Sequence, residues 1–235
     1  MNNSSISMFD DSQVAAGYDQ RFEKLAPFKD TLHLILRFTL SDLPEDARIL
    51  CVGAGTGAEL EAMALHNPKW VFTAVEPARA MLDLCKKRAE SAGFADRCEF
   101  YVGCTDTLNS PEPYDAATSI LVSQFVLKRE ERIRFYQDIS DRLKPGGCLL
   151  SVDLSPGDGA DTGREAQMRF WLKAIEYTGV PAENLEMYEQ TLQNNVSVLP
   201  EQEIEDIISQ GGFEKPVPVY QALLMRGWYA QKATD

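Results

Sequence analysis

The chain is 235 residues long and 44% apolar, enough for one large domain with its own core, which excludes disorder and a disulfide-stapled miniprotein. Its 23 basic side chains against 36 acidic ones give a formal charge of −13, so phosphate backbones and anionic lipid are repelled at long range. Five cysteines, an odd number without a CxxC pair, argue against a metal knuckle or a disulfide framework.

Neither a nucleic acid, a membrane nor a metal is therefore an expected partner. The polar, acidic N-terminus and apolar runs far shorter than about 20 residues point to a cytoplasmic globular protein.

In chain order, Phe28, Leu32, Ile35, Leu36 and Leu40 mark one face of a helix over 28–40. Arg48–Val52 reads as a buried strand, followed by a glycine cluster and a helix carrying Leu60, Met63 and Ala64. A strand over 71–75 and a helix over 78–92, stopped at Gly93, come next. Strands over 99–102, 116–121 and 148–154 follow. Before the last of these a helix turns Ile133, Tyr136, Ile139 and Leu143 inward and leaves 128–134 mostly solvated. Strands separated by single helices predict right-handed crossovers and a parallel sheet covered on both faces.

After Pro156 the alternation stops. Residues 157–200 read as a helical insertion, followed by a helix at Glu201–Gln210 and two closely spaced strands over 217–224 and 225–231, an antiparallel edge pair. The expectation is one α/β domain spanning 1–235. It has a Rossmann-like, doubly wound, seven-stranded and mostly parallel sheet, an N-terminal helical cover over 1–44 and a helical cap over 157–200.

The strongest local signal is Ile49-Leu50-Cys51-Val52-Gly53-Ala54-Gly55-Thr56-Gly57-Ala58. Closely spaced glycines after a strand let backbone approach a ligand, and the next helix offers free N–H groups to it. Glu76 ends the second strand 23 residues after Gly53, where a nucleotide-binding βαβ unit accepts hydrogen bonds from ribose hydroxyls. Gly53, Gly55 and Ala58 also satisfy a dinucleotide pattern, which keeps an NAD-dependent oxidoreductase in view. That reading lacks support: no Tyr is followed four residues later by Lys, and His33 and His66 read as structural.

GAGTG after a strand, Glu76 after the second, Tyr114-Asp115 opening the fourth, Leu143-Lys144-Pro145-Gly146-Gly147 before the fifth and a closing Gly-Phe resemble the ordered motifs of class I S-adenosylmethionine-dependent methyltransferases. The resemblance covers roughly 45–155 and 200–231. It implies that Gly53, Ala54 and Gly55 face the methionine portion of S-adenosylmethionine, that Gly57 opens the helix, and that Glu76 holds the ribose hydroxyls. Pro77 and Met81 would lie against adenine, with Cys104 and Thr105 on its other edge, and Ile120 and Leu121 would line the sulfonium region. Two positions depart from the pattern: Cys51 and Cys104 stand where family members commonly have Asp, and Asp106 is the nearest substitute acceptor for the second.

Ser123-Gln124-Phe125, Leu192-Gln193-Asn194-Asn195-Val196 and the Gly-Phe ending are also similar to carboxy-S-adenosylmethionine synthases. Those enzymes place an Arg shortly before the Leu-x-Asn segment, where this chain has Tyr188, Glu189 and Gln190; their aromatic cofactor contact corresponds to Phe28.

Ligands of such sheets occupy the crevice beyond the strands' carboxyl ends. Tyr18, Arg21 and Phe28 are expected to wall it and Gln124 to floor it. In the insertion, Met168, Trp171, Leu172 and Ile175 form one helical stripe and Phe170, Ala174 and Tyr177 another. One stripe is expected on the core and the other toward substrate or a second subunit of a homodimer, with Phe170 and Trp171 as substrate candidates. Asp153 and Asp158 are the available bases, and no catalytic residue is assigned. The resulting reading is a methyltransferase that uses S-adenosylmethionine, releases S-adenosylhomocysteine and acts on a small molecule. A non-catalytic S-adenosylmethionine-binding protein, an NAD-dependent oxidoreductase and a carboxy-S-adenosylmethionine synthase-like enzyme stay open beside it.

Overall fold

The computed structural model describes residues 9–159 and 161–234. Two helices lead in, α1 (Ser12–Arg21) and α2 (Ala26–Thr39). Asp11 caps α1, its Oδ1 accepting from the backbone N–H groups of Gln13 at 2.8 Å and Val14 at 3.2 Å. Pro27 in the first turn of α2 sits where its missing N–H costs no helical bond.

The alternating part runs β1 (Arg48–Val52), α3 (Ala58–Ala64), β2 (Val71–Glu76), α4 (Arg79–Ser91), β3 (Cys98–Val102), β4 (Tyr114–Ile120), α5 (Arg129–Arg142) and β5 (Leu143–Leu154). The cap helices α6 (Asp161–Thr178) and α7 (Leu185–Asn195) follow, then α8 (Glu201–Gln210), β6 (Val217–Ala222) and β7 (Met225–Gln231). The seven strands lie in the order β3-β2-β1-β4-β5-β7-β6. β1 to β5 pair in parallel and β7 pairs antiparallel to both β5 and β6. The fold class is as expected, including the antiparallel edge pair.

Alternation along β1 divides the core. Ile49 and Cys51 face a layer containing Leu32 and Leu36 of α2, Leu60 and Met63 of α3 and Leu82 of α4, joined by Trp171 and Ile175 of the cap. Leu50 and Val52 face Tyr136 and Ile139 of α5 and Ile204, Ile207 and Ile208 of α8. Strand-end turns on one edge of the sheet are thereby held from both sides. The chain reverses after β1 and after β4, the adjacent central strands, and the crevice opens between those two turns.

Asp115 explains the Tyr-Asp and Lys-Pro-Gly-Gly motifs structurally. Its Oδ2 accepts from the Arg48 N–H at 2.9 Å and its Oδ1 from Lys144 Nζ at 2.7 Å, tying β1, β4 and β5 together at the end remote from the crevice. One expectation fails within α5: Arg132, in the stretch read as mostly solvated, is fully buried. Helical periodicity does not distinguish a cation at the surface from one that meets a buried carboxylate, and here that partner is 21 residues away, on β5.

Candidate cofactor and substrate site

The turn after β1 is held by backbone and by Glu76. The N–H groups of Gly53 and Ala54 donate to the Val75 carbonyl at 2.8 and 3.1 Å. The Gly55 N–H donates to Glu76 Oε2 at 3.0 Å, and the Ala78 N–H to Oε1 at 2.9 Å. Glu76 is buried, which raises its carboxyl above the usual range, while these two N–H bonds pull the other way. Each oxygen keeps a lone pair, the complement of two vicinal hydroxyls. Gly55 has φ +52°, and a Cβ there would meet nothing nearer than the Gly53 carbonyl oxygen at 4.0 Å, so the turn leaves open space above it.

Beside Glu76, Pro77 is half-buried and Met81 is buried against Ala15 and Ala78, with Phe9 and Tyr18 packed on the same cluster. Across from them Cys104 is half-buried, and Thr105 is buried with its Oγ1 unpartnered. Of the two variant cysteines, Cys51 is buried and Cys104 half-buried, and burial pushes both thiols up. Asp106 is exposed. After β4, Leu121 adopts φ +58° and donates its N–H to the Val152 carbonyl at 2.7 Å, and Ile120 and Leu121 are both partly accessible.

The two covers meet in an aromatic wall. Tyr18 of α1 stacks edge-on with Phe9 and Phe22 at centroid distances of 6.1 and 5.4 Å, and Phe9 meets Phe125 at 5.7 Å. The Tyr18 phenol is pushed up to about 12, first by burial and then by the negative charge of Asp19 and Glu76, with Arg21 opposing. From the cap, Trp171 Nε1 donates to the Tyr188 hydroxyl at 3.2 Å. Tyr188 has no counterpart among the substrate residues expected from the sequence. Its one sequence signal is its place, where carboxy-S-adenosylmethionine synthases carry an Arg.

The remaining expected residues divide. Gln124 is buried, and its Oε1 accepts from the Leu154 N–H at 2.9 Å and its carbonyl from the Ser197 N–H at 2.8 Å. Phe28 packs on the core, and its carbonyl accepts from the Tyr220 hydroxyl at 3.0 Å. Trp171 belongs to the buried stripe of α6, whereas Phe170 is 46% exposed on the other stripe with the Arg169 guanidinium 5.4 Å from its ring.

Of the two acids expected as bases, Asp153 is fully engaged, and Asp158 is exposed and tied through one oxygen to the start of α8. Asp153 is fully buried and accepts from Ser123 Oγ (2.9 and 2.8 Å), the Gln124 N–H (3.0 Å) and the Tyr136 hydroxyl (3.2 Å), with Arg132 Nη2 at 3.1 Å. Arg132 Nε also donates to Ser123 Oγ at 2.8 Å. Asp158 Oδ1 accepts from the Gln202 N–H at 3.0 Å in the first turn of α8. Both residues bind backbone or structural partners, because strand-end acids are drawn to unpaired N–H groups. His66 likewise closes on its own helix, its Nδ1 2.9 Å from the Ala62 carbonyl oxygen.

A further buried acid went unread in the sequence. Glu59, in the first turn of α3, has its carboxyl pushed up to about 7 by burial, and its Oε1 accepts from Thr118 Oγ1 at 2.7 Å.

A glycine turn, a strand-end acid that grips it and an orphaned hydroxyl across the gap define a nucleoside-binding α/β domain. Residues 49–147 match the family model described as a methyltransferase domain. The chain is 27% identical over 144 residues to a carboxy-S-adenosyl-L-methionine synthase of Campylobacter lari, covering 60% of this chain and 58% of that one. It is 30% identical over 125 residues to erythromycin 3''-O-methyltransferase of Saccharopolyspora erythraea, covering 52% of this chain and 40% of that one.

An O-methyltransferase family protein from Burkholderia thailandensis superposes with a TM-score of 0.67 at 13% identity, over 95% of this chain and 61% of that one. The chain thus spans less than two thirds of these relatives' lengths. Over residues 49–147 it is similar to methyltransferase domains, and its relatives and fold support a class I methyltransferase that uses S-adenosylmethionine. The residues present fit that cofactor: the open glycine turn, the spare lone pairs of Glu76 and the orphaned Thr105 hydroxyl are the complement of an amino acid, a ribose and an adenine edge.

Proposed function

We propose that the protein is a cytoplasmic, single-domain methyltransferase that transfers a methyl group from S-adenosylmethionine to a small-molecule acceptor held between the crevice and the two helical covers. The observation that carries this reading is the glycine turn gripped by Glu76, with Tyr18 of the N-terminal cover packed on the adjoining Ala78–Met81 cluster. When bound, the cofactor supplies a sulfonium whose methyl group is already activated toward a nucleophile.

The chain's own part is binding, orientation and exclusion of water. Gly53, Ala54, Gly55 and Gly57 form the floor under the amino-acid end, Glu76 takes the ribose hydroxyls, and Pro77, Met81, Cys104 and Thr105 flank the base. Ile120 and Leu121 stand beside the reacting centre. Tyr18 stays protonated at neutral pH with its phenol near 12, so it donates a hydrogen bond to the acceptor. Holding two reactants in line accounts for much of the rate of such a displacement. Asp153 is engaged elsewhere and Asp158 is tied through one oxygen to α8, so the proposed acceptor is one that reaches its nucleophilic form without a dedicated carboxylate base.

The test is formation of S-adenosylhomocysteine from S-adenosylmethionine across a panel of small phenols, thiols and amines. Turnover with one of them that is lost in Glu76→Ala supports the reading. Saturable cofactor binding with no turnover across the panel replaces it with a non-catalytic binder. The similarity to a carboxy-S-adenosyl-L-methionine synthase favours one second reading, which mass spectrometry of the co-purifying ligand tests: a carboxylated cofactor would favour the synthase. The exposed stripe of Phe170 and Tyr177 supports a homodimer, readable by sedimentation.

A further inference from the structure

A cavity of about 480 Å³ opens between the C-terminal end of α1 and the turn joining α6 to α7, lined among others by Arg21, Thr178, Asn184, Tyr188 and Thr191. Its volume is in the range of small-molecule sites. No carboxylate lines it, in a chain with 36 acidic side chains. Arg21 is its only charged residue, and it makes no ion pair among the described residues.

The obvious neighbour, Asp19, is committed elsewhere. Its Oδ1 accepts from Thr56 Oγ1 at 2.8 Å and its Oδ2 is bound by the Arg88 guanidinium. Arg88, Arg132 and Arg226 have carboxylate partners, whereas the exposed Arg21, like Arg37, Arg79 and Arg134, has none among the described residues; what sets Arg21 apart is that it lines this cavity. The cavity adjoins the acceptor wall, because Tyr188 lines it and also receives the Trp171 N–H.

We propose that this cavity holds the carboxylate end of the acceptor, with Arg21 as its counter-ion and Asn184 and Tyr188 as neutral hydrogen-bonding neighbours. The inference rests on the methyltransferase reading and narrows its substrate class to small monocarboxylates. One guanidinium among neutral groups matches a single planar charge in two-point contact, whereas a phosphate dianion would leave a charge uncompensated. An uncompensated anion in a chain of this net charge would be repelled.

The experiment is a set of thermal melts and titrations on the full chain saturated with S-adenosylhomocysteine. The probes are 4-hydroxybenzoate, 4-hydroxyphenylacetate and 4-hydroxycinnamate, each paired with its methyl ester. At least one acid is expected to bind about tenfold or more tightly than its ester. That preference should vanish in Arg21→Ala, partly return in Arg21→Lys, and leave the affinity for S-adenosylhomocysteine unchanged. Equal binding of acids and esters, binding of none of the acids, or a preference that survives Arg21→Ala overturns the proposal. Failure of S-adenosylhomocysteine to bind the wild-type chain shows up separately, before any acid is added, and removes the underlying reading along with it.

Discussion

Gly53 lies so close beneath Val122 that a Cβ on the glycine would stand 2.4 Å from the valine Cγ2. The turn after β1 and the turn after β4 are therefore in contact at the floor of the crevice, and Gly53 holds φ +69° there. Gly53→Ala adds backbone strain of about 1–2 kcal/mol and also displaces the β4 turn. Val122→Ala in the same chain should relieve the clash but leave the φ strain. A double-mutant cycle on melting temperature and S-adenosylhomocysteine affinity should show positive coupling; simple additivity would contradict the contact.

Glu76 does two things at once, gripping the Gly55 and Ala78 N–H groups and presenting lone pairs to the crevice. Glu76→Ala removes both, and the loss of charged hydrogen bonds worth about 1.5–3 kcal/mol each should weaken S-adenosylhomocysteine binding by about tenfold to more than a hundredfold. Calorimetric titration reads this directly, and unchanged affinity would undo the site.

The Arg132–Asp153 pair is buried at both ends, so removing one partner leaves the other as an uncompensated charge. Arg132→Met should cost about 3–5 kcal/mol in urea unfolding. Asp153→Asn, which keeps an acceptor for Ser123 and Gln124, should cost less. If Arg132→Met is neutral, the network does not hold the turn after β4.

Glu59 predicts a specific pH dependence. Its folded pKa of about 7 lies above the ordinary carboxyl value of 4.5, so the folded state binds the extra proton. Stability from this group is intact below about pH 4.5, declines as pH rises through 4.5 to 7, and is flat above that, a loss on the order of 3 kcal/mol. Glu59→Gln still accepts from Thr118 but carries no charge. Melting curves from pH 5 to 8.5 should be flatter for this variant, which should be the more stable chain at pH 8. A parallel shift at all pH values would contradict the assignment.

The alternation of strands and helices, the glycine turn and the strand-end acid were legible because each is a local pattern. Period-two and period-three-to-four hydrophobicity place β1 and α2 without reference to the rest of the chain, and a glycine cluster after a strand has few structural uses. The antiparallel edge was legible for the same reason, since two strands joined by a short link pair only that way.

Side-chain commitments were not legible, because they join residues far apart in the chain. Asp153 looked like a base until Ser123, Gln124, Tyr136 and Arg132 converged on it. Asp19, two residues before Arg21, is taken instead by Thr56 and Arg88. Tyr188 drew notice only for not being an arginine, until the cap placed it against Trp171 and Arg21. By itself the sequence determined the sheet, its handedness and the nucleoside turn, all set by hydrophobic period and backbone conformation over a few residues. Only the tertiary structure decided which charged and polar groups neutralise one another and which remain for a ligand, because that choice depends on distances across elements that no local pattern encodes.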